Sequence, residues 1–594
     1  MCEEGVINDT MNKSAILHIP QSQYAFASDE TTMTIRLRAA AGDLTGCTLY
    51  YGDRACTKSP VEFSPLPMKL AGKDELFDYY DITFHSPFNR VCYYFKLERE
   101  EEWSYYYSDQ FSKELPDFIL NGVVIEGRSE YFQYPIILRE EILDVPGWFK
   151  TAIVYNIFPD SFASGKQRID QCERQLTLDN GLVSKSRLGG TIKGITENLD
   201  YIQEMGFNCI YLNPIFTAGE YHKYDLLDYY HIDPCLGTDE DFKELVEKLH
   251  DRNMHIIIDG VFNHCSWYFF AFEDVVKHGE KSEYKDWFYD LKYPVLRPED
   301  SSEIPGYACF AYERKMPKLN TSKREVQEYF TAVCRHWIRE YHIDGWRLDV
   351  ANEVDKNFWR AFRNAAKEEN PDTVLIGEVW ENAQAWLRGD IFDSTMNYDF
   401  RRHCRDFFAL EKIDAYQFAG AIDKMLLRYP SNVTCGQLNL LDSHDVPRFL
   451  SLCKDDNRRW KLAFIFLMLC PGIPSMFYGD EKQIGGITEA EYRSPMPWQK
   501  GEANLVNFVK SIIEIRIQYT KVGLDYQVIG AEKGSRMFAF TRQSEEGILL
   551  ICMNAGEKVN KLEVQAKQIL LEDGVFRANE NAMVRPYGYG IYLI

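Results

Sequence analysis

No basic stripe runs along the chain, although 67 of its 594 residues are Lys or Arg; 90 are Asp or Glu, and the formal net charge is −23. Neutralising phosphates requires clustered Lys and Arg. Nucleic acid and anionic membrane are therefore excluded as partners, and a neutral substrate is expected. Long apolar runs are also missing. The longest, Leu462 to Cys470, falls well short of the ~20 residues that span a bilayer and reads as a buried helix. The opening residues, MCEEGVINDTMNKSAILHIP, contain early acids and no apolar stretch of signal-peptide length. The fifteen cysteines show neither CxxC pairs nor zinc-ligand spacing, and their number is odd. They read as reduced thiols in a cytosolic protein. Solenoid-length repeats and low-complexity segments are absent as well.

What is present is core-forming mass. Hydrophobic residues make up 45% of the chain and aromatics 14%, which excludes a disordered polymer and leaves rings to spare for sugar faces. Residues 1 to about 125 alternate polar and apolar positions, as in Thr34-Ile35-Arg36-Leu37-Arg38 and Val91 to Leu97. That two-residue period predicts a half-buried antiparallel β-sandwich, followed by a linker over 126–147. From 148 to 520 strand and helix patterns alternate. Strands are predicted at Ile153–Phe158, Cys209–Asn213, His255–Asp259, Gly345–Asp349, Val374–Glu378, Ser394–Asn397, Gln437–Asp442 and Pro474–Tyr478. Helices are predicted between them at Ile195–Met205, Asp239–Arg252, Val326–Tyr341, Phe358–Glu369, Ala415–Arg428 and Arg458–Cys470, and after the last strand at Val506–Tyr519. Eight such units predict a multidomain α/β chain built on a (β/α)8 TIM barrel. The connection over residues 263–322, about sixty residues, is too long for a loop and predicts an inserted subdomain. After 520 the two-residue period returns, predicting a C-terminal antiparallel β domain over 521–594.

Catalytic groups of a barrel cluster at the C-terminal strand ends. Here those ends read Asp259-Gly260-Val261-Phe262-Asn263-His264, Gly345-Trp346-Arg347-Leu348-Asp349, Gly377-Glu378-Val379-Trp380 and Leu441-Asp442-Ser443-His444-Asp445. Cleaving a glycosidic bond with retention requires a nucleophilic carboxylate and a carboxylic acid ~5–5.5 Å apart. Asp349 and Glu378, on neighbouring strands, can meet that requirement. Arg347 lies two residues before Asp349, on the same strand face, and its charge is expected to hold Asp349 ionised. Glu378 must stay protonated until it is used.

These four segments resemble the signature regions of the α-amylase family of glycoside hydrolases, and Met316-Pro317-Lys318-Leu319-Asn320 resembles a fifth. The likeness covers roughly 148 to 520. The wording GWRLDVANEV (Gly345 to Val354), MPKLN and a β domain ahead of the barrel are most similar to the neopullulanase, cyclomaltodextrinase and maltogenic amylase branch. The resemblance implies Asp349 as nucleophile, Glu378 as acid/base and Asp445 as third carboxylate. It implies substrate contacts from Arg347, His264 and His444. Tyr224 would be the platform under the sugar, with His222 and Asp225 beside it, Trp380 on the leaving-group side and Arg493 near the last barrel helix. The implied activity is hydrolysis of α-1,4 bonds, and α-1,6 bonds where tolerated, in cyclodextrins, maltodextrins or pullulan. A transglycosylase or isomerase on the same fold, or a non-catalytic glucan-binding relative, is the alternative.

Two departures stand out. The family's Gly-Gly-Asp-Leu reads Gly189-Gly190-Thr191-Ile192, and the loop Ser164 to Asp170 lacks dense Asp and Asn, so no calcium site and no other cofactor is expected. The segment before the last barrel helix reads Glu489-Ala490-Glu491-Tyr492-Arg493, with acidic side chains of longer reach. The branch also implies a homodimer through the N-terminal domain, for which the aromatic stretch from Tyr93 to Phe111 reads as the contact.

Overall fold

The computed structural model describes residues 10–56, 61–116, 130–300, 302–499, 503–563, 565–578 and 581–594. The boundary expected at residue 125 lies outside them, as do the first nine residues of the N-terminal segment. The chain forms two compact units. One comprises Met1–Asp144, Ile413–Thr434 and Ala531–Ser535; the other comprises Val145–Lys412, Cys435–Gly530 and Arg536–Ile594.

The first unit contains the sandwich. One sheet runs Ala25–Ala27, Thr32–Ala40, Phe77–His85, Lys69–Lys73. The other runs Ser64–Pro67, Gly46–Asp53, Val91–Arg99, Glu102–Tyr107, Gln110–Ser112, with Phe132–Tyr134 paired to Val91–Arg99. Alternate residues Met33, Ile35, Leu37 and Ala39 meet Val91, Tyr93, Phe95 and Leu97 in one core. The opposite face is not solvated as the alternation suggests. Arg36 is buried, donating Nη1–H to the Leu427 carbonyl at 2.8 Å and pairing with Asp81 at 3.4 Å. Lys73 N–H donates to Asp423 Oδ2 at 3.1 Å. The helix Ala415–Leu426, read from the sequence as one of the alternating helices, thus belongs to this unit.

Most of the aromatic stretch expected as an interface packs within the sandwich. Tyr93, Phe95 and Tyr106 pack in the core between the sheets. Tyr94 and Tyr107 pack with Val61, Cys92 and Tyr131 in a second cluster. Trp103, Tyr105 and Phe111 are half-buried and keep part of their surface open. Two aromatic faces on one strand look like a surplus until both faces prove to be covered.

In the second unit eight parallel strands close a barrel: β1 (Val154–Ile157), β2 (Cys209–Leu212), β3 (His255–Gly260), β4 (Gly345–Leu348), β5 (Val374–Gly377), β6 (Ser394–Asn397), β7 (Leu438–Leu440) and β8 (Ile473–Phe477). The ring closes through Val154↔Ser475. Val154, Tyr211, Ile257, Ile376, Met396 and Leu440 fill the interior, as expected for a side-chain-packed barrel. Helix Arg324–Tyr341 buries Val326, Phe330, Val333, Trp337 and Ile338 at helical spacing. The segment expected as one helix over Ile195–Met205 is two, Ile192–Thr196 and Leu199–Glu204. Asn198 separates them because its amide donates to the carbonyls of Gly165 (3.0 Å) and Gly194 (2.7 Å) and accepts from Gln167 N–H (2.8 Å).

Between β3 and the next barrel helix, the helix Phe270–His278 and the hairpin Cys309–Phe310/Glu313–Pro317 form the insertion. Its ends are joined by pairing of His264 with Lys318, and Phe288 within it pairs with Leu319. The C-terminal residues form an antiparallel sheet in the order Gln527–Ala531, Met537–Gln543, Ile548–Asn554, Asn581–Leu593, Asn560–Leu562, with Gln568–Ala578 paired to Asn581–Leu593. No helix among the described residues is long and apolar enough to cross a membrane.

Candidate active site

Parallel register brings the carboxylates together. Asp259 on β3 pairs with Arg347 on β4, and Leu348 with Gly377 on β5. Asp349 and Glu378 therefore stand one step beyond, on strands ~4.8 Å apart. Arg347 is fully buried among them. Its Nη1 donates to Asp259 Oδ1 at 2.9 Å and to Asp349 Oδ1 at 2.8 Å. Its Nη2 lies 2.9 Å from Glu378 Oε1 and 3.6 Å from Asp445 Oδ2, both ion pairs outside hydrogen-bond geometry. One guanidinium thus serves four carboxylates.

Arg347 draws Asp349 towards its ionised form, as expected, but against several opposing influences. Burial pushes the Asp349 carboxyl well above the usual range; Arg347 opposes this, while Glu378, Asp259 and Asp445 reinforce it. A carboxylate cluster with this excess of negative charge retains a proton, as an acid and nucleophile working side by side require. Asp445 is held differently. Burial would raise its pKa, but His444, whose Nε2 is 2.9 Å from Asp445 Oδ2, together with Arg347 and Arg493, brings it down to about 2.

Glu378 is gripped at both oxygens. Trp380 Nε1–H donates to Oε1 at 3.0 Å and Val350 N–H to Oε2 at 2.9 Å. Val350 reaches this position with φ 45° and ψ 44°, a left-handed backbone that β-branched residues avoid. The Trp380 ring stacks on Tyr398 at 3.8 Å and is 47% exposed, open to a ligand.

A cavity of about 560 Å³ opens over the cluster. Of the residues read from the sequence, His222, Tyr224, His264, Asp349, Glu378, Trp380, Asp445 and Arg493 line it. The Tyr224 ring stacks on His444 at 5.5 Å, and its hydroxyl donates to Asp259 Oδ2 at 3.1 Å. His222 Nδ1 accepts the Tyr224 N–H at 3.1 Å. His264 stacks on Phe310 at 4.8 Å, and its buried Nε2 has no hydrogen-bond partner among the described residues. Burial, then Lys318 and His222, lowers its pKa to about 3, so it presents a neutral ring. Arg493 donates Nε–H to the His444 carbonyl at 2.9 Å and Nη1–H to Glu489 Oε1 at 2.6 Å.

Arg347 and His444 stand behind the lining rather than in it. Asp225 turns away: its carboxylate accepts N–H from Gly219 (3.1 Å) and Glu220 (3.0 Å). It braces the loop that carries Tyr224, and burial raises it to about 7. Sequence reading gave no role to Asp259, which binds Arg347, Tyr211 and Tyr224, although its motif was in view. It also missed Phe310, Val350, Asn352 and Glu353 in the lining. Phe310 carries no signal, because its place depends on how the insertion folds.

The chain matches the α-amylase catalytic domain over residues 156–522 and the α-amylase N-terminal Ig-like domain over 11–137. It belongs to the α-amylase family of glycoside hydrolases. A cyclomaltodextrinase of Geobacillus thermopakistaniensis is 36% identical, over 98% of this chain and all of that protein. Neopullulanase 2 of Thermoactinomyces vulgaris is 39% identical, over 92% of this chain and 91% of that protein. A solved cyclomaltodextrinase structure superposes with a TM-score of 0.87 at 34% identity, covering 98% of this chain and 99% of that one. Within this α-amylase family hydrolase the Thr191 departure has a local use. The Thr191 hydroxyl accepts the Gly194 N–H at 2.9 Å and caps the helix Ile192–Thr196. Among the described residues no group of three or more His, Cys, Asp or Glu is arranged to hold a metal ion. In the second departure, Glu489 Oε1 accepts from both Tyr221 OH and Arg493 at 2.6 Å, closing one side of the cleft.

Proposed function

We propose that this chain hydrolyses short or cyclic α-glucans, cyclodextrins and maltodextrins before long starch, with α-1,6 bonds of pullulan as secondary targets, by retention through Asp349 and Glu378. The observation that carries this reading is the single guanidinium of Arg347 reaching two carboxylates on adjacent strands, 2.8 Å from Asp349 and 2.9 Å from Glu378. Glu378 gives its proton to the glycosidic oxygen as the C1–O bond breaks and an Asp349 oxygen bonds to C1. The leaving sugar departs as an alcohol. Glu378 then takes a proton from water, and the resulting oxygen displaces Asp349 from C1, the second inversion. Asp445, ionised throughout, binds sugar hydroxyls together with His264, and His444 and Arg347 hold the carboxylates from behind. Tyr224 forms the platform, Trp380 the leaving-group wall, and His222, Asp225 and Arg493 shape the rim around them. The substrate class follows the names of the relatives and the branch resemblance.

A cytosolic setting fits the absence of disulfides between the fourteen described cysteines. A homodimer through the N-terminal domain follows the branch resemblance alone. Asp349→Asn and Glu378→Gln are expected to lower kcat by about 10²–10⁴ with maltotriose still bound, and early product is expected as the α-anomer in proton NMR. Initial β-anomer would sink the mechanism. Comparing kcat/KM on β-cyclodextrin, maltotriose, pullulan and starch tests the substrate order, and a preference for starch reverses it.

A further inference from the structure

A second cavity, about 250 Å³, or roughly eight waters of liquid volume, lies at the other mouth of the barrel. Thr151 and Ile153 before β1, Asn208 before β2 and Gly472 before β8 line it, together with Arg516, Lys521 and Arg542. These are N-terminal strand positions, whereas the catalytic carboxylates stand at the C-terminal ends.

The charges here are unbalanced. Arg516 donates Nη1–H to the Met468 carbonyl at 2.5 Å and Nη2–H to the Gly472 carbonyl at 2.7 Å. Among the described residues it has no carboxylate partner, and neither does the exposed Lys521. Arg542 donates Nη1–H to the Leu469 carbonyl at 2.8 Å and pairs with Asp525 at 2.6 Å. Asp525 is fully used, since it also accepts the Gln543 N–H at 2.6 Å. Met468 and Leu469 end the helix Asn457–Leu469, whose C-terminus supplies about half a negative charge. Besides Lys150, which also lines the cavity, three cations stand against one carboxylate and the C-termini of two helices, Asn457–Leu469 and Ala503–Tyr519, an excess of about +1 from these groups. A buried cation without a counter-charge is costly; burial, then Arg542, lowers the Arg516 pKa to about 9. This occurs in a chain of net charge −23, where an unopposed basic cavity needs an explanation.

We propose that this cavity is a binding site for a phosphate dianion, free or carried on a small sugar, seated between Arg516, Lys521 and Arg542. The guanidinium of Arg516 spends both Nη groups on carbonyls yet keeps its full charge facing the cavity, and the dianion supplies the missing counter-charge. The proposal does not depend on the catalytic assignments.

Calorimetric titration of the full chain with inorganic phosphate, in chloride buffer of matched ionic strength, is expected to show one site per chain. Lys521→Glu, which reverses one exposed charge, is expected to weaken binding by at least about tenfold, and Arg516→Met by at least as much. Lys521→Glu also decides the matter if Arg516→Met fails to fold, because Arg516 caps a helix. Glucose 6-phosphate and glucose form the other arms. Tighter binding of glucose 6-phosphate than of phosphate, with none by glucose, identifies a phosphorylated sugar as occupant; equal or weaker binding identifies free phosphate. Absence of binding at tens of millimolar phosphate, or binding that Lys521→Glu leaves unchanged, overturns the site.

Discussion

Arg347 offers two terminal nitrogens to four carboxylates, and that shortage shapes the chemistry more than any one charge does. The pattern Arg-x-Asp on β4 is legible because alternate strand residues share a face. The sharing is not, because Asp259, Glu378 and Asp445 arrive from three other strands. His18 was invisible for the same reason. Its Nδ1–H donates to the Arg36 carbonyl at 2.7 Å and its Nε2 accepts from Tyr93 OH at 2.8 Å, partners 18 and 75 residues away. Burial, against the pull of that carbonyl, lowers its pKa from 6.5 to about 4. The unfolded chain therefore binds a proton that the folded one refuses as pH falls from about 6.5 to about 4, and His18 loses stabilising effect across that window. Relative to His18→Gln, wild type is expected to lose up to about 3 kcal/mol between pH 7 and pH 4. Urea unfolding of both proteins at the two pH values reads this difference, and a constant gap would contradict it.

At the scale of elements, strand positions were the most legible. All eight barrel strands fall within their expected segments to a residue or two, because buried parallel strands are short apolar runs bounded by turn signals. Two features were not legible. Asn198 splits the expected helix through side-chain bonds to Gly165, Gln167 and Gly194, which local sequence does not reveal. The solvated face expected for Thr32–Ala40 is covered in the structure, and Arg36 reads as exposed until Leu427 is seen to cap it. The glycine of the helix Ile192–Thr196 gives this scale its test. A Cβ on Gly194 would stand 2.0 Å from the Ala163 carbonyl oxygen and 2.5 Å from its carbon, both backbone atoms. Gly194→Ala is therefore expected to destabilise the barrel by about 1–3 kcal/mol, seen as a lower thermal midpoint. An unchanged midpoint would show that the helix can slide on the loop.

For the molecule as a whole, the sequence order of domains and their structural grouping differ. The TIM-barrel architecture, the sandwich and the C-terminal sheet were legible as changes of period along the chain. That 413–434 keeps company with the sandwich was not, since nothing local distinguishes Ala415–Leu426 from its neighbours. Assembly belongs to this scale too. With most of the Tyr93–Phe111 rings packed inside, Trp103, Tyr105 and Phe111 are what that stretch leaves for the proposed homodimer, and light scattering after size exclusion is expected to give twice the 69.4 kDa chain mass. A single species at the chain mass at micromolar concentration would reject it. The grouping of the Ala415–Leu426 helix with the sandwich also bears on recombination. A chimera with its crossover near residue 145 would inherit one parent's Arg36 and Lys73 and the other's Leu427 and Asp423. The Leu427 carbonyl is common to any parent, but the Asp423 carboxylate, 3.1 Å from Lys73 N–H, is not. Shuffling between relatives should therefore move three stretches of chain together, and libraries with a single crossover there are expected to yield fewer folded members than libraries that transplant all three.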